Sequence, residues 1–190
     1  MSHQTQGKRN NGISTILGTM EFYRRANLEE STKMLKHFKE SGHKEIDTAA
    51  VYSMGESEKL LSEIVQIWKP ENATSEKMVM ATKINAWDYT TLGGVKNDFT
   101  SENIKKQTDD CLNRLKTENC EILYLHSPDH NANLSETLKT CDEMYKLGKF
   151  KQLGLSNYSA WQVSEIVNLC EQNGWVKPSV YQGMYRVTFY

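Results

Sequence analysis

EILYLHSPDHNANLSETLKTCDEMYKLGKFKQLGL, residues 121–155, holds two strand-like apolar runs separated by an amphipathic stretch. Glu121 to Leu125 reads as a strand, Ser135 to Leu147 as a helix stopped by Gly148, and Phe150 to Leu155 as the next strand. A strand, a helix and a strand joined so closely imply parallel pairing through a right-handed crossover.

The same unit repeats on both sides of this window. Toward the N-terminus, Ile13 to Leu17 is a short apolar run ending at Gly18, and Leu28 to Ser41 carries Met34, Leu35 and Phe38 at helical spacing before Gly42. Glu45 to Thr48 reads as a second strand, followed by an amphipathic helix from Glu56 to Trp68 with Leu60, Leu61, Ile64, Val65 and Trp68 on one face. Met78 to Ile84 is a third strand, and Ser101 to Leu115 a third helix with Ser101 as the expected N-cap. Toward the C-terminus, a fifth helix spans Ser159 to Gln172 before Asn173-Gly174, and Ser179 to Gln182 is a sixth strand.

Two architectures accommodate this alternation. An open doubly wound sheet announces itself with G-x-G-x-x-G after its first strand, but Gly12 and Gly18 stand alone there. The expected fold is therefore α/β, an incomplete (β/α)8 TIM barrel of five βα units plus a sixth strand, where a full barrel takes about 250 residues. Residues 1–11 are expected to form a polar tail, and 12–190 the N-terminal two thirds of the barrel.

Composition narrows the partners. Lys and Arg number 23 against 24 Asp and Glu, so a net charge of -1 gives no electrostatic reason to expect nucleic acid or an anionic membrane. A small molecule is the expected partner. No apolar run approaches the roughly 20 residues that cross a bilayer, and MSHQTQGKRNNG lacks the apolar stretch of a secretory signal, so a cytoplasmic location is expected. Cys111, Cys120, Cys141 and Cys170 form no CxxC pair and are expected to be buried free thiols.

Parallel barrels place their chemistry at the carboxyl ends of the strands. The six runs end at Gly18-Thr19-Met20, Asp47, Lys83, His126, Ser156-Asn157 and Gln182, and Tyr52 follows Asp47 closely enough to share the same mouth. A carboxylate, a phenol, an amine and an imidazole would thus converge. They suit reduction of a carbonyl by hydride transfer, in which negative charge develops on oxygen and a general acid delivers a proton to it. Tyr52 is the candidate acid. Its ordinary pKa of about 10 would be lowered by the ammonium of Lys83, with Asp47 fixing that ammonium. His126 would hydrogen-bond the substrate oxygen.

Plainer readings exist for each residue. Asp47 and Lys83 suit a structural ion pair, Tyr52 a packed aromatic, and Met20, Trp87 and Tyr89 either an apolar pocket or ordinary packing. Arg24-Arg25 suits either the steering of an anionic substrate or a solvated pair. His126 and His130 suggest a metal, but Pro128 interrupts any regular turn between them and no third ligand is evident, so no metal is expected. Asn157 and Gln182 suit a nicotinamide carboxamide, or loop backbone.

The blocks LGTMEF, GHKEIDTAAVYSMGESE, YLHSPDH, GKFKQLGLSNYSAWQV and NGWVKPSVYQGMY, spread from Leu17 to Tyr185, resemble the aldo-keto reductase superfamily, and within it the aflatoxin aldehyde reductase group. The resemblance implies a (β/α)8 barrel, NADPH as hydride donor and a catalytic tetrad of Asp47, Tyr52, Lys83 and His126. It also implies that Ser156, Asn157 and Gln182 hold the nicotinamide amide with Asp47 and Met20 beside the cofactor, that aldehydes or ketones are the substrates, and that the protein forms a homodimer.

The terminal RVTFY does not resemble the family's continuation. Strands seven and eight, with the family's phosphate-binding loops and the aromatic residue that stacks on the nicotinamide, are expected to be missing. A truncated chain of this kind is expected to be marginally folded or self-associating and to bind NADPH weakly. The alternative to an enzyme is a non-catalytic binding or regulatory module, such as a truncated isoform that pairs with a full-length subunit.

Overall fold

The computed structural model describes residues 14–67, 78–87 and 98–184. The expected tail, the start of the first strand at Ile13, Trp68, Tyr89 and the terminal RVTFY lie outside the described residues.

Strands and helices alternate: β1 (Ile16–Gly18), α1 (Leu28–Glu40), β2 (Glu45–Asp47), α2 (Glu56–Ile67), β3 (Val79–Ile84), α3 (Ser101–Leu115), β4 (Cys120–Leu125), α4 (Leu134–Lys146), β5 (Phe150–Ser156), α5 (Ala160–Asn173) and β6 (Pro178–Gln182). The strands form one sheet in the order β1-β2-β3-β4-β5-β6, every neighbouring pair parallel. This is a curled half-barrel, the incomplete (β/α)8 architecture expected from the sequence. No helix among the described residues is long and apolar enough to cross a membrane.

Period-two alternation divides each strand between two environments. Leu123 and Leu125 of β4 and Leu153 and Leu155 of β5 face outward into a core with Ile104, Cys111 and Leu112 of α3, Leu138, Cys141 and Met144 of α4, and Ile166 and Cys170 of α5. A second cluster joins Ile46 of β2 to Leu35 and Phe38 of α1 and Leu60, Leu61 and Ile64 of α2. All four cysteines are buried and free. The register Lys83↔Tyr124↔Gly154↔Val180 runs across the opposite face, two residues below the row that ends in Ser156↔Gln182.

Three helix starts differ from the expectation, among them α5, which begins at Ala160 with Ser159 as its N-cap. Thr100, not Ser101, caps α3, because its hydroxyl accepts from the Asn103 amide at 3.4 Å and leaves Ser101 inside the first turn. Asn133 caps α4 in the same way, so that helix begins at Leu134, one residue earlier than expected.

Candidate active site

Backbone pairing carries on past the strand ends and fixes the residues found there. Thr48 N–H donates to Ala81 O at 3.0 Å and Ala50 N–H to Lys83 O at 3.0 Å, extending the β2–β3 ladder. His126 N–H donates to Ile84 O at 2.9 Å and Asn157 N–H to Gln182 O at 3.2 Å, so the segments after β4 and β5 are held by their neighbours. Beyond β2, Tyr52–Gly55 forms a tight helical turn in which Ser53, Met54 and Gly55 all have positive φ. Ser57 Oγ ties this region to the loop after β1 by donating to Phe22 O at 2.8 Å.

The strand ends bring together the predicted four. Lys83 is fully buried, and its ammonium donates to Asp47 Oδ2 at 2.5 Å and to Thr48 O at 2.8 Å. Its Nζ lies 5.2 Å from the centroid of the Tyr52 ring and 5.5 Å from that of Tyr124. The Tyr52 and His126 rings meet edge to face with centroids 6.0 Å apart, and the Trp87 ring packs against His126 at 5.5 Å in a tilted arrangement.

The electrostatics depart from one expectation. The Tyr52 phenol is not lowered by Lys83: burial and then the Asp47 carboxylate push it up to about 12. The reason is that Asp47 already balances the ammonium, so the phenol meets an ion pair in a poorly hydrated place rather than a bare cation. Burial lowers the Lys83 pKa, and the Asp47 carboxylate opposes the shift. Burial and the Lys83 charge pull His126 down to about 4, which leaves its imidazole neutral near pH 7. Asp47 Oδ1 and His126 Nδ1 are both buried with no hydrogen-bond partner, and such groups are costly in a finished fold.

A few steps away, Asn157 takes a left-handed conformation at φ 63° and donates through Nδ2 to His126 O at 2.9 Å and Ser156 Oγ at 3.0 Å. The Asn157 amide nitrogen thus bonds loop backbone, while Ser156 and Gln182 stand beside it in register. Met20 is half-exposed beyond β1. Arg24 and Arg25 both pair with Glu21, at 3.6 and 3.4 Å, as a solvated cluster within their own loop. Among the described residues no group of three or more His, Cys, Asp or Glu is placed to hold a metal ion.

Three contributors lie outside the residues that the sequence singles out. Tyr124 of β4 places its ring 5.5 Å from the Lys83 ammonium. Behind the sheet, fully buried Glu58 of α2 accepts from Thr82 Oγ1 at 2.5 Å and from Arg114 Nε at 2.6 Å, joining α2, β3 and α3 beneath the site. Gly154, a glycine inside a strand, was the available signal for the first of these, since such a residue marks close approach of another group.

A barrel that gathers Asp, Tyr, Lys and His at its strand ends defines a class of proteins, and comparison agrees with it. The chain belongs to the aldo/keto reductase family, whose model matches residues 15–188. It is 41% identical over 175 residues to aflatoxin B1 aldehyde reductase member 4 of Homo sapiens, covering 92% of this chain and 50% of that protein. It is 40% identical over 175 residues to aflatoxin B1 aldehyde reductase member 2 of Mus musculus, covering 92% and 45%. To aldo-keto reductase family 7 member A3 of Homo sapiens it is 40% identical over 172 residues, covering 90% and 49%. The chain spans about half the length of the curated relatives it matches.

Proposed function

We propose that this chain carries the proton-transfer and carboxamide-binding parts of an NADPH-dependent reductase acting on small aldehydes or ketones. The observation that carries the reading is the buried Lys83–Asp47 pair set within 5.2 Å of the Tyr52 ring, with His126 against that ring. Membership of the aldo/keto reductase family and relatives named as aldehyde reductases support the substrate class.

The residues present fit a nicotinamide. A carboxamide needs a donor for its carbonyl and acceptors for its NH2 group. The Ser156 hydroxyl offers a donor, the Asn157 side-chain oxygen an acceptor, and Gln182 both, because its side-chain amide has no partner among the described residues. Unpartnered, buried Asp47 Oδ1 provides a further acceptor at the same mouth. Met20 lies at the rim. When bound, the nicotinamide supplies the hydride.

The protein groups then handle the proton. At neutral pH Tyr52 is fully protonated, the form a general acid requires, and it gives its O–H proton to the carbonyl oxygen as charge develops there. The phenolate left behind lies beside the Lys83–Asp47 pair, whose ammonium, held by Asp47 and Thr48, offsets only part of its charge. His126 is neutral, and with Nδ1 buried and unpartnered its Nε2 is the nitrogen that reaches the substrate oxygen.

The test is consumption of NADPH with an aldehyde such as succinic semialdehyde, by the chain and by Tyr52→Phe. The reading expects turnover in the first and a loss of at least a hundredfold in the second, in keeping with general acid catalysis. Native-rate turnover in a folded, cofactor-binding Tyr52→Phe variant removes Tyr52 as the acid. Cofactor binding with no turnover in the unaltered chain favours a binding module.

A further inference from the structure

We propose that Tyr124 is a positioning residue: its ring, seated in the gap left by Gly154, holds the Lys83 ammonium against Tyr52. This rests on the reading of Lys83 as the group that offsets part of the Tyr52 phenolate's charge. The ammonium's needs come first. Lys83 is fully buried and has three N–H donors, two of which are spent on Asp47 Oδ2 and Thr48 O. For the third the structure supplies aromatic faces, Tyr52 at 5.2 Å and Tyr124 at 5.5 Å, inside the roughly 6 Å over which a ring attracts a cation. Of the two rings, only Tyr124 sits on a strand. The Tyr52 ring rides on a turn, so the supporting ring fixes the lysine's place.

The register explains why the Tyr124 ring stays there. Lys83, Tyr124 and Gly154 are successive partners on β3, β4 and β5. A Cβ at position 154 would lie 2.3 Å from Tyr124 Cδ1 and 2.5 Å from Cε1, far closer than atoms can approach. The ring therefore occupies the space a Cβ would take at position 154, and any side chain there would push it out of its seat beside the ammonium. Gly154 is not among the positive-φ positions, and although the β5–β6 register shifts between Leu153 and Gly154, the clash of a Cβ with the ring is by itself a reason for the missing side chain.

Every charged or titratable group around Lys83 enters the test: Asp47 from β2, Tyr52 from the turn, Tyr124 from β4, His126 at the end of β4, and Glu58 from α2 behind the sheet. The experiment follows the Lys83 side-chain resonance in protein carrying isotope-labelled lysine, assigned by comparison with Lys83→Met, through a pH titration. Three variants at Tyr124, and Gly154→Ala, are compared with the unaltered chain. Tyr124→Phe keeps the ring, Tyr124→Leu removes it, and Tyr124→Met refills its volume with a flexible apolar chain should leucine fail to fold.

The Phe variant is expected to titrate Lys83 as the unaltered chain does, while Leu and Met move the midpoint down by about one pH unit, the scale of a cation–π attraction at a desolvated site. Gly154→Ala, which displaces the ring, is expected to move it in the same direction. An unchanged midpoint in a folded Leu or Met variant overturns the proposal, and so does a Phe variant that shifts as far as Leu. The titration needs no turnover. A chain whose Lys83 responds as expected but which reduces no aldehyde would leave the role of Tyr124 standing and bring down the reductase reading alone.

Discussion

Asn157 donates through its side-chain Nδ2 to the backbone carbonyl of His126 at 2.9 Å, so the segment after β5 clamps the segment after β4. The oxygen of the same amide remains for the carboxamide seat that Ser156 and Gln182 flank. One residue thus serves both the proposed substrate-binding imidazole and the proposed carboxamide seat.

This double role yields a graded prediction. Asn157→Gly preserves the left-handed conformation at φ 63° but removes both interactions. It is expected to cost about 1 kcal/mol of stability and to raise KM for aldehyde and cofactor together by about tenfold each, the equivalent of one hydrogen bond. Asn157→Asp retains an acceptor for the carboxamide but places a carboxylate oxygen against the His126 carbonyl. Steady-state kinetics should show aldehyde KM rising more than cofactor KM in that variant; equal effects would mean that the clamp on His126 does not matter.

His126 gives a pH prediction for stability. Its pKa is depressed to about 4 in the folded chain from about 6.5 unfolded. Between those values the unfolded chain binds the proton and the folded chain does not, so stability rises with pH across the window and is lost on acidification from about 6.5 to 4. Urea unfolding of the unaltered chain and of His126→Gln at several pH values measures this: the variant should lose less stability than the parent over that window. Parallel curves would contradict the burial of the imidazole.

How much of this was legible beforehand depends on the distance over which each feature is decided. Helical spacing and glycine stops are local, so the strand–helix order and the half-barrel could be read directly, with errors of a residue or two at the ends. Thr100 and Ser101 are adjacent hydroxyls, and only the backbone turn decides which one caps α3. The meeting of Asp47 with Lys83 was legible because both end neighbouring parallel strands. The protonation state of Tyr52 was not, since it depends on which side chains bury the phenol and on Asp47 having already neutralised the cation. The ion pair of Glu58 with Arg114, 56 residues apart, had only an indirect sign: a glutamate on the α2 face that also carries Leu61.

The Asp47–Lys83 pair should behave as a coupled unit. Asp47→Asn leaves a fully buried ammonium with no counter-charge on its hydrogen-bonding partner, and Lys83→Met leaves the carboxylate with no partner for either oxygen, Oδ1 having none already. Each single change is expected to cost roughly 3 to 5 kcal/mol, the scale seen when one member of a buried pair is removed. The double variant should fall short of the sum by roughly 1 to 3 kcal/mol, since no charge is left stranded. Additive losses in a double-mutant cycle of urea denaturation would show that the two groups act independently.

The turn that presents Tyr52 depends on packing behind the sheet. Gly55 has φ 86°, a conformation that disfavours any side chain, and a Cβ there would lie 2.8 Å from Arg114 Cδ. Arg114 cannot easily withdraw, because its Nε is bonded to buried Glu58 at 2.6 Å. Gly55→Ala is therefore expected to cost about 2 kcal/mol or more, combining the strained backbone with the displaced guanidinium. Glu58→Gln frees Arg114 by removing the charge that anchors it, at a cost of roughly 3 kcal/mol for breaking a buried pair. In the Glu58→Gln background the further loss from Gly55→Ala should shrink by about 1 kcal/mol, since the arginine can now move aside. Thermal or urea unfolding of the four proteins measures the coupling, and an undiminished penalty would mean that the backbone of the turn, rather than Arg114, sets the requirement for glycine.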